Sequence, residues 1–475
     1  MRIAVIGAGA VGALIARELC RYEAEVILFE REPDVGWGVT KANSGIVHAG
    51  FHDEPGTVRA RFCALGNALF PELAAELDIP FRRTGAYVLA FTKGEFSTLR
   101  ELLVQGEANG VPGLEIHRRE EVLAQEPWVN PEVVGGLWAP TVGITLPWEL
   151  AIAATENALK NGLELHLSEP VVGIEVSRGR VRAVRTDRGR YPVDAAVNAA
   201  GLFADRIAQM AGLDGLFLHP RRGEYVLLDE TTGSLVNAVL FPAPTPVSKG
   251  ILVLPTVEGG LLLGPNARDL PSDAREATET TREGLEEVIA GAKHLVPGLP
   301  LHKTVKTFAG LRPESPQKDF VLGETKVARF YQAAAMRSPG LTAAPAVARW
   351  LAREIALAHG LREKGNFNPK RTRIPHPADL PEEEWARLIR EDPRWGRIVC
   401  FCNRVTEGEI VEAIRRGART LDGVKFRTRA GFGRCQGGFC TDRILAILAR
   451  ELGVAPWEVT ARGGGSRMVL GEVRP

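Results

Sequence analysis

Four of the six cysteines lie near the C-terminal end of the chain and form two pairs, Cys400 with Cys402 and Cys435 with Cys440. In a reducing compartment such a group indicates metal or redox chemistry more than disulfide bonds. An amphipathic helix predicted over Glu407 to Arg415 separates the pairs, so that four thiolates can converge on one site. Four thiolates suit an iron–sulfur cluster, and tetrahedral zinc is the alternative.

A second pattern with chemical meaning occupies the first thirty residues. A buried strand, the turn Gly7-x-Gly9-x-x-Gly12, a helix and a second strand ending in Glu30 follow one another. These glycines permit a tight turn, the approach of a pyrophosphate to the backbone and close helix packing, and the helix N-terminus offers N–H groups. Glu30 would accept a hydrogen bond from a ribose 2′-hydroxyl and would repel a 2′-phosphate, which disfavours NADP. The pattern predicts a dinucleotide without choosing between FAD and NAD.

The composition is that of an ordinary globular protein. The chain has 475 residues, 45% of them hydrophobic and 25% charged, which predicts more than one domain. Its 59 basic and 58 acidic residues leave a formal charge of +1, so global charge indicates neither nucleic acid nor an anionic membrane. The chain opens on the first predicted strand, and no apolar run approaches the roughly 20 residues that cross a bilayer, so we expect a cytoplasmic protein.

The remaining elements are predicted to build around these two patterns. Strands at Val171 to Val176, Val181 to Thr186 and Tyr191 to Asn198 indicate a three-stranded excursion that returns to a central sheet. We predict the following domains: an oxidoreductase unit over 1–360, with FAD-binding parts at about 1–80, 145–220 and 320–360 and substrate parts at about 81–144 and 221–319; a connector over 361–394; a cluster module over 395–455; and a tail over 456–475.

Four separated segments resemble the D-amino-acid oxidase-like superfamily of flavoproteins. They are the fingerprint ending in Glu30, the loop Asn43 to Gly50, the strand end Val197 to Gly201, and Ser338 to Thr342. The resemblance implies FAD as the dinucleotide. It also implies an α/β fold, in which a Rossmann-like FAD-binding domain is interleaved with an α+β substrate domain and followed by a small helical [2Fe–2S] module.

More narrowly, the chain resembles bacterial glycerol-3-phosphate dehydrogenases of the anaerobic type. The resemblance is carried by His48-Ala49-Gly50 with Pro55-Gly56-Thr57, by Pro220 to Tyr225, by Gly310 to Pro313 and by Arg434 to Cys440. The last segment resembles the [2Fe–2S] module of bacterioferritin-associated ferredoxin, which favours iron–sulfur over zinc. Related dehydrogenases of 2-hydroxyglutarate and of amino acids share the N-terminal loop and remain alternatives.

The resemblance implies a role for individual residues. His48 is the expected general base for a secondary alcohol, and Arg312, in a Gly-Leu-Arg-Pro segment expected to be a turn, is expected to bind the substrate anion. Arg337 departs from the small or acidic residue expected before Ser338. The expected FAD-binding residues are Gly7, Gly9, Gly12, Glu30, Arg31, Asn43, Ser44, Gly45, Val171 (through its main chain), Asn198, Ala200, Gly201, Gly340, Leu341 and Thr342, and the expected cluster ligands are Cys400, Cys402, Cys435 and Cys440.

Four basic residues, Lys425, Arg427, Arg429 and Arg434, crowd the segment that carries the second cysteine pair. They indicate either a solvated basic face or a docking surface for an electron-transfer partner. By resemblance the partner would be a second flavoprotein or a membrane-associated electron-accepting subunit. An alternative of another class is a non-catalytic electron-transfer or redox-sensing subunit that only binds FAD and a cluster.

Overall fold

A computed structural model of the chain describes residues 1–244 and 250–471. The strands are β1 Arg2–Ile6, β2 Glu25–Phe29, β3 Ile46–Val47, β4 Phe81–Arg83, β5 Ala86–Ala90, β6 Glu115–Arg118, β7 Gly135–Ala139, β8 Gly143–Thr145, β9 Glu164–His166, β10 Val171–Ser177, β11 Arg180–Thr186, β12 Arg190–Pro192, β13 Ala195–Asn198, β14 His219–Leu228, β15 Val239–Pro242, β16 Val253–Pro255, β17 Leu261–Leu263, β18 Arg268–Asp269, β19 Thr304–Glu314, β20 Val321–Glu324, β21 Phe330–Ala334, β22 Ile398–Cys400 and β23 Val405–Thr406. The helices are α1 Ala10–Leu19, α2 Val58–Leu77, α3 Lys93–Ala108, α4 Arg119–Gln125, α5 Pro147–Lys160, α6 Ala204–Met210, α7 Arg282–Leu295, α8 Gly340–His359, α9 Glu382–Glu391, α10 Glu407–Arg415, α11 Leu421–Thr428 and α12 Thr441–Leu452.

The central sheet has the strand order β20-β21-β13-β1-β2-β9. Strand β1 lies between β2 and β13 and is parallel to both. Ile3, Val5 and Leu28 on these strands are fully buried, because a parallel sheet is covered on both faces. Helices α1, α5, α2 and α8 supply part of that cover. The Rossmann-like part of the predicted fold is confirmed.

The strand excursion also forms, with one difference from the prediction. Strands β10, β11 and β12 make a separate three-stranded sheet. The stretch predicted as one strand, Tyr191 to Asn198, divides into the end of β12 and the whole of β13. Strand β13 then joins the central sheet beside β1. The break lets the chain leave the small sheet and enter the large one.

A second large sheet runs in the order β18-β14-β17-β16-β15-β5-β7-β6, and β19 pairs with β14. The antiparallel β14/β19 ribbon is long, from His219 opposite Glu314 to Leu228 opposite Thr304, with a register shift between Leu227 and Leu228. Arg312 therefore lies within a strand, and its predicted placement in a turn is wrong. Pro313 is compatible with this strand because, among the described strands, β19 pairs only with β14 and is an edge strand.

The C-terminal module has its own small core. Helices α10 and α12 pack around residues such as Val405, Ile410 and Leu448. Helix α10 spans the predicted range, and it begins with a capping box between Thr406 and Glu409. The connector that precedes the module contains helix α9. The predicted domain boundaries remain predictions, and residues 245–249 of the substrate part and 472–475 of the tail lie outside the described range.

Basic side chains of the module face the oxidoreductase unit. The ion pairs are Arg427 with Asp34, Arg429 with Glu258 and Glu149, and Arg434 with Asp229. The Trp148 ring of α5 stacks on Phe432 of the module, with centroids 5.6 Å apart and ring planes at 13°. Arg427, Arg429 and Arg434 therefore bind the module to the rest of the chain. The burial of Arg427 differs from both roles expected for it, whereas the Arg434 side chain is 63% exposed.

None of the helices in residues 1–244 and 250–471 combines the length and the apolar character needed to cross a bilayer.

We expect replacement of Arg427 by Met to destabilise the docked module. Arg427 and Asp34 are almost completely buried, and Arg427 Nη2 lies 2.8 Å from Asp34 Oδ1. Removing one partner of a buried pair leaves an uncompensated charge and typically costs about 3–5 kcal/mol. The measurement is the urea concentration at the midpoint of unfolding of the cluster-loaded protein, with tryptophan fluorescence as the signal.

Arg434→Met is the matched control, because this arginine also binds a carboxylate but its side chain is 63% exposed. Loss of an exposed pair costs about 0–1 kcal/mol. Equal midpoint changes in the two variants would show that the buried pair has no special role.

Candidate active site

The glycine turn after β1 has the geometry that a phosphate group needs. Gly7 has a φ of +100°, and a Cβ on Gly12 would overlap with the Gly7 carbonyl oxygen. Helix α1 begins directly after Gly9, which has no side chain to cap it. Its first turn is therefore suited to an anionic ligand. These features fit the pyrophosphate of a dinucleotide.

Glu30 follows β2 and lies beside the glycine turn. Its carboxylate accepts hydrogen bonds from the amides of Ala8, at 2.7 Å, and Glu32, at 3.0 Å. Burial raises the pKa of the Glu30 carboxyl above its ordinary value, although the two amides act in the opposite direction. The neighbouring Arg31 lies 4.0 Å above the Phe203 ring. The carboxylate is placed to accept from a ribose hydroxyl.

The loop that follows packs against the same turn. The Thr40 hydroxyl accepts a hydrogen bond from the Ala10 amide at 3.0 Å. Asn43 folds the loop, since its side-chain oxygen accepts from the Gly45 amide at 2.8 Å and its nitrogen donates to the Thr40 carbonyl. Ser44 lies between these residues. Thr40 was not among the predicted site residues. The feature of the sequence that could have identified it is a hydroxyl in a glycine-rich loop next to the fingerprint.

The end of β13 lies under the glycine turn. Asn198 is fully buried, and its side chain donates to the Ala204 carbonyl and accepts from the Ala200 amide. Asn198 thus shapes the turn through Ala200 to Gly201, which has a φ of +53°. Val171, at the start of β10, packs against a group of buried residues that includes Ile6 of β1 and Phe29 of β2.

Two other segments, α2 and the start of α8, hold His48 in place. The His48 amide donates to the Thr342 hydroxyl at 2.8 Å, and its carbonyl accepts from the Asn67 side chain at 2.9 Å. On the ring, Nε2 lies 3.3 Å from the Ser338 hydroxyl. Thr342 follows Gly340 and Leu341 in the first turn of α8, so this helix start positions the histidine.

Arg312 lies on the ribbon face that carries Gly223 and Tyr225. Arg312 Nη2 donates to the Asn266 carbonyl at 3.1 Å, and a Cβ on Gly223 would lie 2.6 Å from the same nitrogen. The absence of a side chain at Gly223 therefore leaves room for the guanidinium. Burial raises the pKa of the Tyr225 hydroxyl above its usual range, and the adjacent Arg312 opposes that shift.

Contacts along the same ribbon connect Arg312 with the histidine. Glu314, two residues after Arg312 on the same side of β19, lies 3.2 Å from Arg337 Nε. Arg337 is adjacent to Ser338, which contacts His48. Burial lowers the pKa of Arg337, and Glu314 opposes that shift.

The ribbon also reaches the loop after β2, because a Cβ on Gly310 would overlap with the Ala42 carbonyl oxygen. These contacts link the strand that carries Arg312 with the segments that hold His48 and with the loop after β2. Ser338 and Glu314 were not predicted as functional residues, because only long-range contacts reveal them.

The thiols of the four cysteines lie near enough to influence one another's pKa values. The sulfurs of Cys402 and Cys435 lie 3.7 Å apart. Burial and the neighbouring thiols of Cys400, Cys435 and Cys402 raise the pKa of Cys440 to about 12. A Cβ on Gly433 would overlap with Cys402, so the loop is packed tightly there. The donor set fits an iron–sulfur cluster.

Within residues 1–244 and 250–471, no three metal-binding side chains are already arranged as ligands. The fit of a cluster therefore rests on the four-thiol donor set and on the comparison with known families.

Two family models match the chain. Residues 2–354 match the FAD dependent oxidoreductase family, and residues 398–450 match the BFD-like [2Fe-2S] binding domain. The second match favours iron–sulfur over zinc, as predicted. FAD and a [2Fe–2S] cluster are the cofactors of this chain. The roles of single residues remain predictions.

Similar proteins agree with this assignment. A glycerol 3-phosphate dehydrogenase of Caloramator mitchellensis is 45% identical over 99% of this chain and 98% of its own. An L-2-hydroxyglutarate dehydrogenase of Escherichia coli is 29% identical over 55% of this chain and 63% of its own.

Among solved structures, L-alpha-glycerophosphate oxidase from Mycoplasma pneumoniae, with FAD bound, has a TM-score of 0.72. It is 29% identical and covers 78% of this chain and 98% of its own. The chain therefore belongs to the FAD-dependent oxidoreductase family, in a form that carries a BFD-like [2Fe–2S] binding domain at its C-terminal end.

Proposed function

We propose that the protein oxidises sn-glycerol 3-phosphate to dihydroxyacetone phosphate and passes the electrons through its [2Fe–2S] module to a partner. The observation that carries the proposal is the 45% identity to a glycerol 3-phosphate dehydrogenase across both domains. The contacts that link the segments of His48 and Arg312 through Ser338, Arg337 and Glu314 are compatible with it.

In this proposal His48 removes the proton from the substrate hydroxyl. Its backbone is fixed on both sides by Thr342 and Asn67, so the imidazole can move only about its side-chain bonds. Ser338 lies within reach of Nε2 and orients the ring. FAD, when bound, accepts the hydride. A neutral imidazole near pH 7 is a suitable base for this step.

Arg312 binds the substrate anion from the ribbon. Its planar guanidinium can donate two parallel hydrogen bonds to a phosphate, and Asn266 orients one of its nitrogens. Arg337 lies next to Ser338, and the Glu314 carboxylate, 3.2 Å from its Nε, balances its charge. The choice of a phosphate over a carboxylate substrate therefore rests on the similarity to a glycerol 3-phosphate dehydrogenase.

The docking of the module supports electron transfer within the chain. Trp148, which stacks on Phe432, packs with its backbone against Gly36, just after the FAD fingerprint. Burial lowers the pKa of Lys41, which belongs to the FAD-facing loop. The nearby Asp422 carboxylate of the module opposes that shift. The [2Fe–2S] cluster supplies one-electron chemistry when bound. The module is thus placed directly beside the FAD-binding part.

The partner and the location are further parts of the proposal. An electron-accepting second flavoprotein or membrane-associated subunit would receive the electrons. The protein would be cytoplasmic and would be held at the membrane by that partner. The rival activity is oxidation of an L-2-hydroxyacid, which the partial similarity to an L-2-hydroxyglutarate dehydrogenase supports. A subunit that only transferred electrons would not require His48 to contact Ser338.

Anaerobic titration distinguishes these functions. We expect glycerol 3-phosphate to bleach the oxidised-flavin absorbance band of the holoprotein, because the substrate is the only source of electrons in the cuvette. L-2-hydroxyglutarate and a small panel of amino acids serve as comparisons. Bleaching by one of them instead would change the substrate, and no bleaching by any would favour the non-catalytic subunit.

We expect Arg312→Lys to raise the KM for glycerol 3-phosphate about 10- to 100-fold with FAD still bound, because lysine cannot make the two-pronged contact. Steady-state kinetics with a small dye acceptor measure the effect. Arg282→Lys is the control, since Arg282 is 85% exposed and pairs with Glu286 on the surface of α7. An unchanged KM in the Arg312 variant would remove this residue from the substrate site.

We expect His48→Asn to slow flavin reduction by about 10²- to 10⁴-fold, the usual contribution of a general base. Stopped-flow absorbance at saturating glycerol 3-phosphate measures this rate, and the flavin content of the purified variant should match that of the wild type. The control is His294→Asn, because His294 packs on Phe91 in the substrate domain. A normal rate in the His48 variant would require another base.

A further inference from the structure

Two phenylalanine rings lie in solvent beside the cysteine ligands. Phe401, between Cys400 and Cys402, is 64% exposed, and Phe439, just before Cys440, is 76% exposed. Single exposed apolar residues are common on protein surfaces. Two exposed rings that flank the ligands of a redox centre form a patch of the kind that binds another protein.

Another part of the module is covered by the oxidoreductase unit. Arg427 is buried against Asp34, and Phe432 is stacked on Trp148. Cys400 and Cys440 are buried in the module's own core, whereas Cys402 is exposed. The cysteine site is therefore open to solvent at Cys402, and the two exposed phenylalanines are neighbours of its ligands in sequence.

The charge around the two rings is positive. Arg404 and Arg443 are exposed, and the Arg443 guanidinium lies 5.4 Å from the centre of the Phe401 ring. Asp442 is an exposed acidic residue next to them. A partner that covers the rings would therefore need acidic side chains around an apolar centre. If a second copy of this chain covered the rings with the same surface, arginines would face arginines and repel one another.

We propose that Phe401, Phe439, Arg404 and Arg443 form the docking surface for an electron-accepting protein with an acidic face. We call this group the exit face. The inference rests on the proposed function and adds to it the place and the charge of the partner's contact. Oxidation of one glycerol 3-phosphate releases two electrons and two protons, so two one-electron acceptors are reduced and the protons enter solvent.

The test uses two protein acceptors of opposite charge, the acidic soluble domain of cytochrome b5 and the basic cytochrome c. We expect Phe401→Ser and Phe439→Ser to lower the rate constant for cytochrome b5 reduction about tenfold, the size of a moderate interface hot spot. Added salt should slow the reduction of cytochrome b5 and should not slow that of cytochrome c. Arg404→Glu with Arg443→Glu should reverse this order of salt sensitivity.

Three controls make the outcome specific. Phe217→Ser removes a phenylalanine of similar exposure, 63%, from the oxidoreductase unit and should change nothing. The electron paramagnetic resonance spectrum of each reduced variant should match that of the wild type, which shows that the cluster is intact. Bleaching of the flavin by glycerol 3-phosphate should also be unchanged.

The exit face is overturned if the phenylalanine variants reduce cytochrome b5 at the wild-type rate, if Phe217→Ser has the same effect, or if wild-type protein with a reduced cluster does not reduce cytochrome b5. A change of oligomeric state in the phenylalanine variants, measured by analytical ultracentrifugation, would assign the surface to a second copy and would also overturn it. Loading electrons with dithionite, followed by desalting, tests the surface even where glycerol 3-phosphate fails as substrate.

Discussion

Three glycines allow backbone segments to approach more closely than any residue with a Cβ would permit. Gly12 meets the carbonyl of Gly7 in the dinucleotide turn, Gly66 meets the carbonyl of Thr342, and Gly310 meets the carbonyl of Ala42. The first contact shapes the cofactor turn, the second packs α2 against α8 behind the histidine, and the third brings the β14/β19 ribbon to the FAD-facing loop. These contacts bring together the dinucleotide turn, the helices behind His48 and the ribbon that carries Arg312.

Local patterns in the sequence predicted the parts of the protein that short-range physics determines. The fingerprint from Gly7 to Glu30, the helix Glu407–Arg415 and the family of the cysteine site are examples, and the fold and cofactors are confirmed. The FAD-contacting roles of single residues, such as Val171, remain predictions. A hydrogen bond across 294 residues, such as that from His48 to Thr342, has no local signal.

Two expectations failed for identifiable reasons. The glycine and proline around Arg312 suggested a turn, but β19 is an edge strand. Pro313 lies opposite Pro220, and the sheet needs no N–H donor at either position. The basic residues of the module suggested a surface in contact with solvent or a partner. Their carboxylate partners, Asp34 and Asp229 among them, are far away in sequence, so only the folded chain shows that Arg427 is an internal contact.

The ion pairs between the module and the oxidoreductase unit also change the electrostatic character of the protein. A flavoenzyme ending before the module would present Asp34, Glu149, Glu258 and Asp229 as an acidic surface. In the full chain, arginines of the ferredoxin-like module pair with these carboxylates. The module therefore carries the countercharges of the oxidoreductase unit as well as the cysteine site, and its removal would leave four carboxylates without these arginine partners.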